Sequence, residues 1–143
     1  MLDRGRRVLI AEDVPDDVRP LLRAFRQEPA WEIAVVNDGE KALDYLNREG
    51  KYADAWKPDL LILNINMPII DGLEVLEKIK DTPRLTKIPV VMWTVSQHFM
   101  DIDRAYELGA AAFVYKPVGD DEMKDCANAI RAFWDRVWFP MYV

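Results

Sequence analysis

Several side chains that could handle a metal ion or a phosphate stand directly after short apolar runs. Glu12 and Asp13 follow one such run, Asn64 another, Thr94 closes a third, and Lys116 follows a fourth, just before Pro117. Adjacent carboxylates suit Mg²⁺, a hard cation that takes a few acidic oxygens and keeps several waters, above all when it must also bridge to phosphate. A lysine ammonium acts as a compact point charge near phosphoryl oxygens. Taken singly, these residues have plainer explanations, since an acidic pair caps helices and Lys-Pro is ordinary loop chemistry. Each at the carboxyl end of its own run, they converge on one small pocket, which structural needs alone do not require. Asn64 stands apart, because an amide oxygen has no charge and is far less nucleophilic than a carboxylate.

The elements that must position these residues alternate in a regular way. Apolar runs at Arg7 to Ala11, Trp31 to Val36, Leu60 to Leu63, Ile88 to Trp93 and Ala112 to Tyr115 read as strands. Leu60 to Leu63 is unbroken, as expected of a central parallel strand buried on both faces. Helical periodicity falls between the runs: Asp16 to Arg26 with Val18, Leu21, Leu22 and Phe25 on one face, and a helix carrying Ala42, Leu43 and Leu46 after the turn at Asn37, Asp38 and Gly39. Gly50 to Pro58 reads as a loop. A further helix carries Leu73, Val75, Leu76 and Ile79, another runs from Met100 to Leu108, and the last from about Asp120 to about Val137. Pro20 removes a backbone donor and is expected to kink or restart the first helix. Five β/α units predict a doubly wound five-stranded parallel sheet with five helices, one α/β domain spanning 1–143. In such sheets ligands bind at the carboxyl ends of the strands, where strand order reverses.

Composition narrows the function. With 19 basic and 25 acidic residues, the formal charge of -6 builds no broad positive surface, so nucleic-acid binding is not expected. Half of the 143 residues are hydrophobic, enough for a sizeable core, yet no apolar run is long enough to span a bilayer. The N-terminus lacks the pattern of a secretory signal, and the one cysteine, Cys126, forms no internal disulfide, so a cytoplasmic protein is expected. One histidine, His98, excludes a Cys/His metal cluster, and neither a G-x-S-x-G turn nor a Gly-rich nucleotide fingerprint occurs. Asp59, Asp71, Ser96 and His98 are read as solvated, turn-forming or capping residues.

The stretches Val8 to Asp13, Pro58 to Pro68, Asp71-Gly72, Val90 to Thr94 and Tyr115-Lys116-Pro117 together resemble the receiver domain of bacterial response regulators, a flavodoxin-like (CheY-like) fold, over essentially the whole chain. The resemblance implies that Glu12, Asp13 and the Asn66 backbone carbonyl hold Mg²⁺. It also makes Thr94 a switch hydroxyl, Phe113 the switch aromatic and Lys116 the charge partner of the phosphoryl group. Asn64 occupies the place of the aspartate that takes phosphate from a kinase histidine, so aspartyl phosphorylation is blocked and Mg²⁺ binding is weakened. Lys116, short of its usual partner, is expected to turn toward Asp13. Two origins of Asn64 are open, a natural pseudo-receiver or an engineered replacement of aspartate, and the reading leans to the natural one. Phe113 replaces the commoner tyrosine, and Val95 replaces a smaller residue that leaves freer access to the pocket.

Beyond the last strand, Ile130, Phe133, Trp134 and Val137 form one helical stripe, followed by Trp138 and Phe139 before Pro140. This tail, with Tyr106 to Ala110 and Lys116 to Val118, resembles small receivers that partner phytochrome-type histidine kinases. An excess of terminal aromatics marks an interface, so Phe133, Trp134, Trp138 and Phe139 are expected to form a self-complementary dimer patch or a kinase-docking surface. Two other classes of protein fit the sequence less well. A small Mg²⁺ phosphatase or phosphotransferase using Glu12, Asp13 and Thr94 lacks an aspartyl nucleophile, and a DNA-binding regulator needs an effector domain. The expectation is a signalling receiver, not an enzyme.

Overall fold

Alternation of side chains along the strands decides how this chain layers. A computed structural model describes residues 5–140. The strands are β1 (Arg7–Ala11), β2 (Glu32–Val36), β3 (Leu60–Leu63), β4 (Val90–Thr94) and β5 (Ala112–Tyr115). All neighbours pair in parallel, in the order β2-β1-β3-β4-β5. Val8, Ile10, Leu60, Ile62, Val91 and Trp93 point to one face, while Leu9, Ala11, Leu61, Leu63, Val90 and Met92 point to the other. The period-two alternation puts apolar side chains on both faces of the central strands, so both faces must be covered.

The helices supply the cover. Helices α1 (Pro15–Arg26) and α5 (Asp120–Asp135) bury Leu21, Phe25, Ile130 and Trp134 against the first face. Helices α2 (Gly39–Leu46), α3 (Gly72–Lys80) and α4 (Phe99–Glu107) add Ala42, Leu46, Val75, Leu76, Ile79 and Ala105 to the second. The doubly wound architecture read from the sequence is therefore the one observed. Strand order reverses between β1 and β3, which opens the crevice beside Glu12 and Asn64.

Local differences have physical reasons. Pro20 sits inside an unbroken α1. Burial of Leu21, Ala24 and Phe25 carries the helix through the missing donor. Pro15 occupies the first turn, where an absent N–H is tolerated, so the helix starts one residue before the expected Asp16. The loop after α2 contains a short 3-10 turn at Gly50–Tyr52. Helix α5 ends at Asp135 rather than near Val137, and the chain beyond folds back on the sheet. There Arg6 Nη1 donates to the carbonyls of Val137 (2.7 Å) and Trp134 (3.3 Å), and its guanidinium lies 5.3 Å from the Phe139 ring centre. Phe139 stacks on Trp134 and meets Trp31 edge-on.

Trp134 is thus buried in the core and Phe139 half-buried against it, which leaves Phe133 and Trp138 as the exposed members of the expected interface. Trp134 is only 8% exposed, whereas Phe133 is 63% and Trp138 85% exposed.

Candidate functional site

Backbone geometry delivers Glu12, Asp13 and Asn64 to one place. The Asn64 N–H donates to the Ala11 carbonyl (3.0 Å) and the Glu12 N–H to the Val36 carbonyl (3.0 Å), so parallel pairing extends just past the strands and fixes both residues. The loop after Asn64 is closed by Gly72, whose N–H reaches the Ile65 carbonyl at 2.7 Å. A Cβ at Gly72 would stand 2.0 Å from the Asn64 carbonyl oxygen. Only glycine permits that approach, which is the physical content of the Asp71-Gly72 pair. Asp71 caps α3 by accepting from the Glu74 N–H at 2.9 Å.

Asn64 is nearly buried, and its side-chain nitrogen donates toward three oxygens: Glu12 Oε1 (3.2 Å), Asp13 Oδ1 (3.3 Å) and the Asn66 carbonyl (3.0 Å). The expected metal-site residues are therefore together. Lys116 is also buried, but it does not turn toward Asp13. Its ammonium donates to Glu12 Oε2 (3.0 Å), Glu12 Oε1 (3.2 Å) and Asp17 Oδ2 (2.7 Å). Glu12 is the fully desolvated acid and attracts the lysine most effectively, while Asp17, in the first turn of α1, supplies the second charge. Trp93 Nε1 donates to the Asp17 carbonyl at 3.4 Å and so pins that turn to β4. Burial pushes the Glu12 carboxyl up to about 7, against the lowering pull of the Lys116 ammonium.

Thr94 is wholly buried, and its hydroxyl oxygen accepts from the Ser96 N–H at 3.1 Å. Ser96 Oγ donates to Asp101 Oδ2 (2.7 Å) and accepts from the His98 N–H (3.3 Å). His98 stands at the N-cap of α4, but its side chain makes no capping bond. Val95 and Asn66 line an open cavity of about 390 Å³ beside the pocket, with Val95 60% exposed, so the valine stands at the rim rather than filling the interior. Phe113 is half-buried against the core, and its N–H, on the open edge of β5, donates to the Tyr106 hydroxyl (3.1 Å).

Sequence reasoning missed Asp17, Asp59 and Arg131. Asp59 is not solvated: it is 1% exposed and accepts from the Arg7 N–H at 2.9 Å, at the start of β1. Its position one residue before an apolar strand was the available signal. Asp17 gave none, since its partner Lys116 is 99 residues away, and Arg131 gave only its i,i+4 spacing to Asp135, its carbonyl partners being more than 100 residues away.

Parallel order, a crevice at the switch point, an acidic pair, a buried threonine and a buried lysine define a receiver-type site at the carboxyl ends of the strands. The chain matches the response regulator receiver domain family over residues 8–128 and belongs to that family. It is 31% identical over 128 residues to response regulator Rcp1 of Synechocystis sp. (strain PCC 6803), covering 89% of this chain and 87% of that one. The crystal structure of the Mn(2+)-bound form of Rcp1 superposes with a TM-score of 0.92 at 30% identity, covering 95% of this chain and 99% of that one. The phosphorylated cyanobacterial phytochrome response regulator RcpA superposes at 0.93 with 33% identity, over 96% and 100% of the two chains. The chain is therefore a receiver of two-component signalling, and the expectation that it is not itself an enzyme holds with that assignment. No helix among the described residues is long and apolar enough to cross a membrane.

The cation that the family implies does not fit this arrangement. The three oxygens that would receive it face an amide N–H₂ group, and both oxygens of Glu12 are also engaged by Lys116. Among the described residues, no group of three or more acidic, histidine or cysteine side chains is placed to hold a metal.

Proposed function

We propose that this chain is a cytoplasmic receiver, one domain over 1–143, that works through protein contacts with aspartyl phosphorylation blocked at Asn64. The observation that carries the reading is the identity of the side chain at the end of β3. A carboxamide stands where a nucleophile is needed, while Glu12, Asp13, Thr94 and Lys116 are all in place around it. An amide oxygen does not attack a phosphohistidine, so the pocket cannot form an acyl phosphate. The positions of Thr94, Phe113 and Lys116 are those of the switch hydroxyl, the switch aromatic and the phosphate-contact lysine. In the absence of phosphoryl transfer they serve to hold one conformation.

The partner class is a sensor histidine kinase, of phytochrome type, on the likeness to the phytochrome response regulator RcpA. A homodimer is the other contact we propose, through the exposed part of the C-terminal region. Any Mg²⁺ affinity is weak, since Asn64 contributes no charge to the cluster. The net charge of -6 supports the absence of nucleic acid among the partners.

Intact-mass measurement after incubation with a phosphorylated histidine kinase, or with a small phosphodonor and Mg²⁺, tests this reading. The unmutated chain stays unmodified, and Asn64→Asp gains one phosphoryl group. A phosphoryl group on the unmutated chain, mapped to the Glu12, Asp13 and Asn64 pocket, overturns it.

A further inference from the structure

Three oxygens from two segments of the chain converge on one nitrogen. Glu12 Oε1 and Asp13 Oδ1 come from the end of β1, and the Asn66 carbonyl comes from the loop after β3; Asn64 Nδ2 lies 3.0 to 3.3 Å from all of them. A carboxamide nitrogen carries two hydrogens, so three acceptors share its electropositive edge. The other end of the same amide is left out: Asn64 Oδ1 is buried and meets no hydrogen-bond donor. Leaving a buried carbonyl unpaired has a cost, and the opposite orientation has one of its own. Turning the amide over would set its oxygen against two carboxyl groups and a carbonyl, with nothing positive between them. The repulsion among those oxygens therefore chooses the orientation of Asn64.

We propose that the Asn64 carboxamide takes the place of the divalent cation, its Nδ2 donor holding Glu12, Asp13 and the Asn66 carbonyl together so that the pocket is complete without metal. Lys116 finishes the arrangement, its one ammonium bound to both Glu12 and Asp17. The chain thus keeps the folded form of a receiver pocket at any Mg²⁺ concentration, which suits a module that cannot be charged with phosphate. This inference rests on the receiver reading for the place of the cation, and on the hydrogen bonds alone for what replaces it.

Thermal unfolding and backbone NMR of the full chain test it, in EDTA, in excess Mg²⁺, and with Mn²⁺ as a paramagnetic probe. The unmutated chain unfolds at the same temperature in EDTA and Mg²⁺, and Mn²⁺ does not selectively broaden the amides near Asp13 and Asn66. Asn64→Asp unfolds at a higher temperature in Mg²⁺ than in EDTA. It binds the cation at least about tenfold more tightly, because a restored carboxylate attracts a divalent ion by more than 1.4 kcal/mol at this range. Asn64→Ala, which removes the donor, unfolds earlier than the unmutated chain in EDTA. The proposal is overturned if Mg²⁺ stabilises the unmutated chain as much as Asn64→Asp, or if Mn²⁺ broadens the same amides in both. Phosphoryl labelling of the unmutated chain would sink the reading that phosphorylation is blocked and leave this measurement standing, so the two failures are distinguishable.

Discussion

Lys116 Nζ stands 2.7 Å from Asp17 Oδ2, joining the end of β5 to the first turn of α1 across 99 residues of chain. The same ammonium reaches both oxygens of Glu12, so its three protons meet three acceptors. Lysine at this place is only 3% exposed, and a buried ammonium needs compensation that an amide at position 64 cannot give. Asp17 gives it. Asp17→Ala is expected to lower unfolding free energy by about 1–3 kcal/mol, less than the loss of a solitary buried pair because Glu12 remains. Urea denaturation of the two chains reads this directly. Equal midpoints would make the contact an ordinary surface pair.

The carboxyl of Glu12 gives the fold a pH dependence. Burial raises it from 4.5 to about 7, with the Lys116 ammonium pulling the other way. The native state therefore holds this proton more tightly than the unfolded chain does. The associated stability is fully present below about 4.5 and is lost as pH rises through about 7. Unfolding free energy from this group falls across that window. Denaturation at about pH 5 and about pH 8 should show a smaller difference for Glu12→Gln than for the unmutated chain. An unchanged difference would place the titration elsewhere.

The alternation of Val8, Leu9, Ile10 and Ala11 was legible because a strand buried on both faces leaves nearly every position apolar, and the same logic held for Leu60 to Leu63. Strand ends then located Glu12, Asp13, Asn64, Thr94 and Lys116 without any knowledge of distance. What stayed hidden depends on partners brought close only by folding. The expectation that Lys116 turns toward Asp13 fails because Asp17 is the acid that α1 swings over the pocket. The aromatic tail misled for a similar reason. Periodicity cannot show that Arg6, at the other end of the chain, binds the Val137 carbonyl and draws Phe139 onto Trp134.

Arg131 locks α5 to the end of α1. Its Nη1 donates to the carbonyls of Ala24 (2.7 Å) and Gln27 (2.9 Å), Nη2 to that of Pro29 (2.7 Å), and Nε to both oxygens of Asp135. Asp135 in turn accepts from Trp31 Nε1 at 2.8 Å. Arg131→Met keeps the side chain's length but leaves three carbonyls and a carboxylate without that donor. A loss of about 3 kcal/mol or more is expected, with the transition remaining cooperative. Arg131→Lys should recover only part of it, since an ammonium cannot reproduce the planar fork. A denaturant midpoint for Arg131→Met within error of the unmutated chain would show that the carbonyls find other donors.

Self-association, if the C-terminal region mediates it, must use the side chains that folding leaves outside. Phe133 and Trp138 are the exposed aromatics of the region, while Trp134 and Phe139 are held inside by Arg6 and Trp31. Truncation after Arg136 would remove Val137 and Phe139, which close the lower edge of the core, so a change in the shortened chain would mix unfolding with dissociation. Point substitutions separate the two. Phe133→Ser and Trp138→Ser remove apolar surface from water-facing positions, and each is expected to change the unfolding free energy of the monomer by no more than about 0.5 kcal/mol. If these rings anchor a twofold contact, each substitution costs the dimer about 2 kcal/mol, roughly a thirtyfold rise in the dissociation constant. Sedimentation at micromolar concentration reads the change. With no phosphoryl group to gate it, the unmutated chain sediments as a dimer whether or not a phosphodonor is present. A monomer at that concentration, unchanged by either serine, removes self-association from the functions of this surface and leaves kinase docking as its use.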